Sequence, residues 1–235
     1  MRKIETAVIL AGGSGLRMRP LTEDLPKCMI PLQGKPLIHW IINWLKCSGF
    51  KHVVMGVAYQ KDAIINYLNE NNQGLKIDFS EHTVEGETSE GFRLAISRFV
   101  DDENFLAMNG DEITNLNIER LAEAHLKNKP VATIAVAPMR SPFGVLKLEG
   151  DDIVGFEEKV LLENTLVSIG VYIFNHALFD YLPKTGSIER TVFPLLAQKR
   201  LLKACRLNPG ESWLTINSVK ELSVAEKEFA SIRRQ

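Results

Sequence analysis

The feature that most constrains the fold of this chain is the alternation of short apolar runs with amphipathic segments through its first half. The run from Thr6 to Leu10 is apolar after Thr6 and soon reaches Gly12 and Gly13, which is typical of a strand buried on both faces of a parallel sheet. Strand and helix repeated at this spacing indicate crossover connections. We therefore predict an α/β fold, a Rossmann-like three-layer α/β/α arrangement around a central, mostly parallel sheet.

Apolar periodicity also predicts the individual elements. A period near 3.6 after Pro36 marks an amphipathic helix that Gly49 ends. Ser218 and Glu221 have the spacing of a capping box before the final helix. Further strands are predicted at residues 53–57, 75–79, 105–108, 131–137 and 167–174, a hairpin at 144–148 with 153–156, and further helices at 62–68, 88–99, 118–126, 188–198 and 219–232.

Composition excludes several functional classes. The 235 residues are 45% hydrophobic and 24% charged, as in an ordinary globular protein, and a net charge of −1 without a basic block argues against nucleic-acid binding. No apolar run approaches the roughly 18 residues of a membrane span, and the run near the start is too short for a signal-peptide core. Cys28, Cys47 and Cys205 are widely spaced, which predicts free thiols in a reducing cytoplasm.

Two chemistry-bearing segments follow predicted strands directly. The first holds Gly12, Gly13 and Gly15, and the second is Asn109-Gly110-Asp111. Because ligands of open parallel sheets lie beyond the carboxyl ends of the strands, we expect both segments to face one crevice.

The first segment has the composition of an anion site. Glycines at a strand end let several backbone N–H groups converge, Arg17 adds a planar donor fork, and Lys27 adds a compact cation. The spacing matches neither a Walker loop nor the dinucleotide fingerprint Gly-x-Gly-x-x-Gly. On their own the glycines fit a tight strand-to-helix connection equally well.

The combination is more specific than its parts. Ala11-Gly-Gly-Ser-Gly-Leu-Arg17, followed by Pro20-Leu-Thr22, Pro26-Lys27 and Gly34-Lys-Pro36, closely resembles the signature of the sugar-1-phosphate nucleotidylyltransferases, or nucleotide-sugar pyrophosphorylases. The segment 186–194 is similar to members that make GDP-mannose, and the resemblance is greatest to the mannose- and heptose-1-phosphate guanylyltransferases.

The resemblance implies the nucleotide-diphospho-sugar transferase fold and one domain over residues 1–235. Residues 1–112 would form its nucleotide-binding half, and residues 113–235 its sugar-phosphate-binding half. It also implies catalytic roles for Arg17 and Lys27. The implied nucleotide-binding residues are Leu10, Ala11, Gly12, Gly13, Gly15, Arg17, Thr88, Asn109 and Gly110.

A magnesium site is implied at Asp111, where the family carries a metal-binding aspartate after a glycine. Asn109-Gly110-Asp111 alone would be read as a turn. In many members a second metal aspartate stands where this chain has Thr215, but Ile216-Asn217 resembles a Val-Asn pair whose asparagine is the ligand. A side-chain amide oxygen is a legitimate Mg²⁺ ligand. The alternative, that Asn217 only precedes the final helix cap, stays open.

The sugar phosphate is implied to bind in the second half. The residues 143–145 are similar to the family's Tyr-Gly-Val, which assigns Gly144, and 156–159 are similar to Phe-x-Glu-Lys, which assigns Glu158 and Lys159. Gly170 lies in a strand similar to one that lines the sugar. Without the resemblance, residues 157–159 would be an exposed charged turn.

The implied reaction joins a nucleoside triphosphate to a sugar 1-phosphate with Mg²⁺ and releases pyrophosphate; GTP with mannose or heptose 1-phosphate is preferred, and a homo-oligomer is possible. No side-chain base is needed, because the sugar phosphate is already an anion. One departure is Glu87 and Glu90, which stand in a segment near the base and the sugar in relatives. Two alternatives stay open: transfer to another phosphate ester such as phosphocholine, or a catalytically weak nucleotide-sugar-binding regulatory subunit.

Overall fold

The computed structural model describes residues 4–233. Short 3-10 turns lie at Leu16–Met18, Lys27–Met29 and His176–Tyr181. The strands are β1 Thr6–Leu10, β2 Pro31–Leu32, β3 Lys35–Pro36, β4 His52–Val57, β5 Lys76–Glu81, β6 Asn104–Asn109, β7 Glu112–Thr114, β8 Ala132–Arg140, β9 Val145–Glu149, β10 Asp152–Glu157, β11 Leu161–Asn175, β12 Leu202–Arg206 and β13 Trp213–Thr215. The helices are α1 Leu37–Cys47, α2 Lys61–Glu70, α3 Glu87–Phe99, α4 Ile118–Asn128, α5 Ile188–Gln198 and α6 Val219–Arg233.

A seven-stranded sheet in the order β12-β8-β11-β6-β1-β4-β5 forms the centre of the described structure. Strands β6, β1, β4 and β5 run parallel, as do β12 and β8, whereas β11 is antiparallel to both of its neighbours. The predicted mostly parallel α/β sheet is therefore confirmed. Both halves of the chain contribute strands to it.

Two apolar cores cover the two faces of this sheet. Along β1, Ala7 and Ile9 face one core while Val8 and Leu10 face the other, which is why the whole strand reads as apolar. Helices α1, α2, α4 and α6 pack on the first face, and α3 and α5 on the second. The result is the predicted three-layer arrangement.

Most predicted elements are present, with ends displaced by a few residues. β1 and α5 have the predicted bounds, and the predicted hairpin is the antiparallel pair β9–β10. β11 is longer than the predicted 167–174 because its first part is largely exposed and carries no continuous apolar run. Three features were not predicted: β12 at the sheet edge and the small antiparallel pairs β2–β3 and β7–β13. Among residues 4–233, no helix has both the length and the apolar character to cross a bilayer.

The topology sets the position of the site. β1 and β6 are neighbours in register, so that Leu10 is opposite Asn109, and the loops that follow them leave the same edge of the sheet. The Gly110 N–H donates to the Leu10 carbonyl at 2.8 Å and joins the two loops directly. Both segments therefore face one crevice, as expected.

Candidate active site

The glycine loop, residues 11–17, turns sharply after β1. Two of its positions favour glycine, one because of its positive φ and one because a Cβ would clash. Gly15 has φ +62°, and its carbonyl accepts a 2.8 Å hydrogen bond from the Thr22 hydroxyl. A Cβ on Gly12 would overlap the His82 ring and lie 2.9 Å from Ala58 Cβ. The chain thereby passes beneath the cleft and enters the 3-10 turn that carries Arg17.

A cleft of about 380 Å³ opens above the two loops. Its floor holds the glycine loop and the segment after β6, and its far wall is built from residues before and at the start of α3 and α5. The lining residues are Leu10, Ala11, Gly12, Gly13, Lys27, Cys28, His82, Val84, Glu87, Thr88, Asn109, Gly110, Asp111, Ser187, Glu189 and Arg190.

Lys27 lies at the centre of a compact polar cluster at the floor of this cleft. Its Nζ contacts Asp111 Oδ2 and donates to Asn217 Oδ1 at 2.6 Å. Arg17 donates through Nη2 to the same Asn217 oxygen at 3.1 Å. The Lys27 and Asp111 side chains are 13% and 22% exposed, so the cluster is sheltered yet open to a ligand. Residues from three distant segments thus meet at one cation.

Behind Asn217, a chain of hydrogen bonds crosses the β7–β13 ribbon. Asn217 Nδ2 donates to Thr215 Oγ1 at 2.5 Å, and the Thr215 hydroxyl donates to Glu112 Oε1 at 3.3 Å. Trp213 Nε1 donates to Glu112 Oε2 at 2.6 Å. Burial raises the pKa of Glu112 to about 8, and the negative charge of Asp111 adds to that rise.

The start of α6 also holds Asn217 in place. The Glu221 N–H donates to Ser218 Oγ at 3.2 Å, as a capping box requires, but the Glu221 carboxylate accepts from the Asn217 N–H at 2.6 Å. The return bond of the capping box therefore falls one residue earlier than in the usual motif. It fixes the backbone of Asn217 rather than that of Ser218.

The oxygens of this cluster suit a hard divalent cation. Asp111 Oδ2 and Asn217 Oδ1 converge on the Lys27 ammonium, and Mg²⁺ takes oxygen ligands from one or two protein groups with water and phosphate supplying the rest. Within residues 4–233, no group of three or more His, Cys, Asp and Glu side chains could hold a metal by itself. A metal at this place would depend on a bound phosphate for further ligands.

Glu87 and Glu90, the two acidic residues in the segment where this chain differs from its relatives, have different surroundings. The Glu90 carboxylate accepts from the N–H and the hydroxyl of Thr83, both at 2.6 Å, and so closes the loop before α3; these two bonds lower its pKa. Glu87 instead lines the cleft with φ +52°. Thr88, also in the lining, donates to Glu189 at 3.1 Å and thereby links α3 to α5.

The four residues predicted for the sugar phosphate do not form one cluster. Gly170, at φ +69°, lies against Asn109 and Glu112, beside the polar cluster, since a Cβ there would be 2.9 Å from Asn109 Nδ2. Gly144 lies under the Phe156 ring, and Glu158 and Lys159 are exposed after β10. None of the latter three lines the 380 Å³ cleft.

Sequence reasoning missed Glu112 and the cleft residues His82, Glu189 and Arg190. Glu112 is 7% exposed, and its partner Trp213 is 101 positions away. The one signal in the sequence was a second acidic residue directly beside Asp111. Its partners could not be found, because the β7–β13 ribbon has no periodic signature.

Comparison with known proteins agrees with this geometry. The sequence model of the family described as nucleotidyl transferase matches residues 6–230. The chain belongs to this nucleotidyl transferase family. The predicted family membership is thereby confirmed.

The similar proteins include two curated relatives and a solved structure. The chain is 30% identical to D-glycero-alpha-D-manno-heptose 1-phosphate guanylyltransferase of Aneurinibacillus thermoaerophilus, over 74% of this chain and 76% of the relative. It is 33% identical to probable mannose-1-phosphate guanylyltransferase 1 of rice, over 92% of this chain and 62% of the relative. The structure of HddC from Yersinia pseudotuberculosis superposes with a TM-score of 0.76 at 23% identity, over 96% of this chain and 100% of that chain, which shows a shared fold. The chain thus spans about three fifths of the length of the rice relative.

Proposed function

We propose that this protein is a sugar-1-phosphate nucleotidylyltransferase, which joins a nucleoside triphosphate to a sugar 1-phosphate and releases pyrophosphate. The observation that carries the proposal is the Lys27 ammonium held between Asp111 and Asn217 at the floor of a cleft whose other floor element is the glycine loop. This combination offers backbone donors, two cations and two oxygen ligands to a polyphosphate. Membership of the nucleotidyl transferase family supports the same reaction.

The chemistry needs positioning more than proton transfer. The sugar phosphate attacks the α-phosphorus as an anion, a new phosphorus–oxygen bond forms, and pyrophosphate leaves as the old bond breaks. The barrier is repulsion between anions and charge on the leaving group. In the proposed mechanism Lys27 lies at the reacting phosphates, while Arg17 and the N–H groups around Gly12 and Gly13 hold the departing pyrophosphate.

Asp111 and Asn217 would hold Mg²⁺, since their oxygens form the donor set described above. Bound there, the ion supplies positive charge shared between phosphate oxygens and screens their repulsion. The Lys27 ammonium contacts both of these oxygens. The predicted roles of Asp111 and Asn217 in metal binding remain proposals.

For the nucleotide, we propose GTP. Glu87 places a carboxylate in the cleft wall, whereas Glu90 is committed to Thr83. A carboxylate accepts from two adjacent donors, and the N1–H and N2–H₂ groups of guanine present such a pair. Mannose or heptose 1-phosphate as the acceptor is supported by the two curated relatives, whose names give these substrates.

For the acceptor, we propose that Gly144, Gly170, Glu158 and Lys159 contribute to the sugar-phosphate side. Glu158 and Lys159 would have to approach the cleft when the sugar phosphate binds, because they are exposed outside its lining. Their hairpin β9–β10 contains large exposed apolar side chains, as expected of a segment not packed on the main sheet.

We also propose a location in a reducing cytoplasm, which the three free cysteines support.

The decisive experiment is a matrix of four or five nucleoside triphosphates against several sugar 1-phosphates, with pyrophosphate release measured in the presence of Mg²⁺. We expect turnover with one nucleoside triphosphate, GTP. The active acceptors should be a small set of sugar 1-phosphates that includes mannose or heptose 1-phosphate. Glu87→Gln should weaken the preference for GTP and leave the acceptor preference unchanged, with Glu85→Gln, also an exposed acid in this loop, as the matched control.

Other outcomes of the same matrix would favour the alternatives. Turnover only with phosphocholine or another non-sugar phosphate ester would contradict the assignment of the acceptor. Nucleotide binding without pyrophosphate release in any combination would instead indicate a regulatory subunit.

A further inference from the structure

The side-chain amide of Asn217 has one orientation that satisfies all of its neighbours. Lys27 and Arg17 can only donate, so they require the oxygen Oδ1 on their side. On the opposite side Nδ2 must then find an acceptor, and it finds Thr215 Oγ1 at 2.5 Å. Thr215 thus holds the Asn217 amide in the same orientation that the two cations require of its oxygen.

Thr215 accepts from Asn217 because its own proton is used elsewhere. The Thr215 hydroxyl donates to Glu112 Oε1 at 3.3 Å, across the β7–β13 pair in which residues 112 and 215 are direct partners. The other Glu112 oxygen accepts from Trp213 Nε1, at 2.6 Å. An indole N–H can only donate and a carboxylate can only accept, so the Glu112 carboxylate fixes the direction of both of its hydrogen bonds.

From this series we propose that Glu112 is a positioning residue that sets the orientation of the Asn217 amide and so keeps its oxygen turned toward the bound metal. The proposal rests on the proposed function, because it assumes that Asn217 is a ligand. Glu112 itself contacts no substrate in it. Its carboxylate acts through Thr215, and its burial at 7% exposure keeps water from replacing either partner.

Glu112→Gln tests the proposal because it keeps the shape and reverses one bond. The amide must turn its oxygen to Trp213, so its NH₂ group faces Thr215, and the Thr215 hydroxyl is then left to donate toward Asn217. Either the Asn217 amide turns over or a buried donor goes unpaired. We expect roughly a tenfold or greater loss of Mn²⁺ affinity, the scale found when partners of metal ligands are changed.

Affinity is measured with Mn²⁺ alone and with Mn²⁺ plus GTP in the absence of acceptor, by the electron paramagnetic resonance signal of the free ion. The titrations are run without oxygen and at the same pH for every variant. Asp78→Asn is the matched control: this acid is also paired, with His52 at 2.8 Å, but lies on the far edge strand β5. It should leave the affinity unchanged.

Two further variants separate orientation from general damage. An aspartate at position 217 has oxygens on both sides, so adding Glu112→Gln to Asn217→Asp should cost no affinity. Thr215→Val removes the link, so it should reproduce the loss by itself, and Glu112→Gln should add nothing to it. Wild-type affinity in Glu112→Gln, or the same tenfold loss in the Asn217→Asp background, would overturn the proposal.

These outcomes are distinguishable from failure of the proposed function. If the wild type releases pyrophosphate and Glu112→Gln binds Mn²⁺ normally, the positioning role is wrong and the activity stands. If the variants show the expected pattern but no substrate pair yields pyrophosphate, the positioning role holds and the proposed activity is wrong.

Discussion

Asn217 Oδ1 lies 2.6 Å from Lys27 Nζ, although the two residues are 190 positions apart. The 3-10 turn Lys27–Met29 supplies the cation, and the segment before the final helix supplies the oxygen. Asp111, after β6, contacts the same ammonium. The candidate site is therefore shared among early, middle and late parts of the chain, and the predictions below test these parts separately.

Replacing Lys27 or Arg17 with alanine should reduce pyrophosphate release by roughly 100- to 1,000-fold, the cost of removing one charge-stabilising donor. Lys27→Ala also leaves the oxygens of Asp111 and Asn217 facing each other without a cation. Lys35→Ala, which removes an exposed lysine close by in sequence, should retain wild-type rates. Near-full activity in both Lys27→Ala and Arg17→Ala would contradict the mechanism.

Gly12→Ala should lower the free energy of unfolding by about 1–3 kcal/mol, because the new Cβ would overlap the His82 ring and crowd Ala58. Gly13→Ala is the matched control, since a Cβ there has no atom within 4 Å. Its unfolding free energy should stay within about 1 kcal/mol of wild type. Urea denaturation followed by circular dichroism measures both, and equal stabilities of the two variants would count against the packed loop.

Stability should fall in acid partly through His125. Burial lowers the pKa of this ring from 6.5 to about 4, and Nε2 and Nδ1 contact Asn104 and Thr133 at 3.0 and 2.9 Å. The unfolded chain binds the proton more tightly, so stability is present above pH 6.5 and is lost as the pH falls toward 4. The loss from this group is on the order of 2–3 kcal/mol.

Urea denaturation of wild type and His125→Gln at several pH values isolates this contribution. The difference in unfolding free energy between the two proteins should shrink as the pH falls through that window. A difference independent of pH would show that His125 does not titrate as expected.

Under native conditions a thiol reagent should modify Cys47 rapidly and leave the other two cysteines largely unmodified. Cys47 is exposed, whereas Cys28 and Cys205 are buried. Burial raises the pKa of Cys28 to about 12, helped by the charge of Asp111, and burial also raises the pKa of Cys205. Absorbance of the released reagent should report one fast thiol and three in denaturant. Fast reaction of a Cys47→Ser variant would be the contrary result.

The sheet was predictable because its signals are local. A run such as β1, apolar toward both cores, can be read from five residues, and the contact between Gly110 and Leu10 follows from the rule for parallel strands. The candidate anion site was predictable for the same reason, since glycines, arginine and lysine lie within one short segment.

What could not be predicted depends on contacts between distant segments. Nothing in the spacing of Glu112 and Trp213 indicates that a three-residue strand brings them together. The sequence likewise cannot separate Glu87 from Glu90, because only the fold shows that one lines the cleft and the other holds Thr83. The predicted capping box was present but incomplete, since a neighbouring backbone N–H competed for Glu221.

The final helix is also attached to the turn between β2 and β3, where Gln33 donates three hydrogen bonds of 2.5 to 3.0 Å to Glu226. Residues 217–226 therefore contact two turns near the start of the chain: Asn217 bonds Lys27, and Glu226 bonds Gln33. During synthesis the N-terminal strands emerge first and can pair. Lys27, however, meets Asn217 only after residue 217 has left the ribosome, and helix α6 follows it. A nascent chain therefore cannot complete the polar cluster around Lys27 until residue 217 has left the ribosome, whatever its degree of earlier folding.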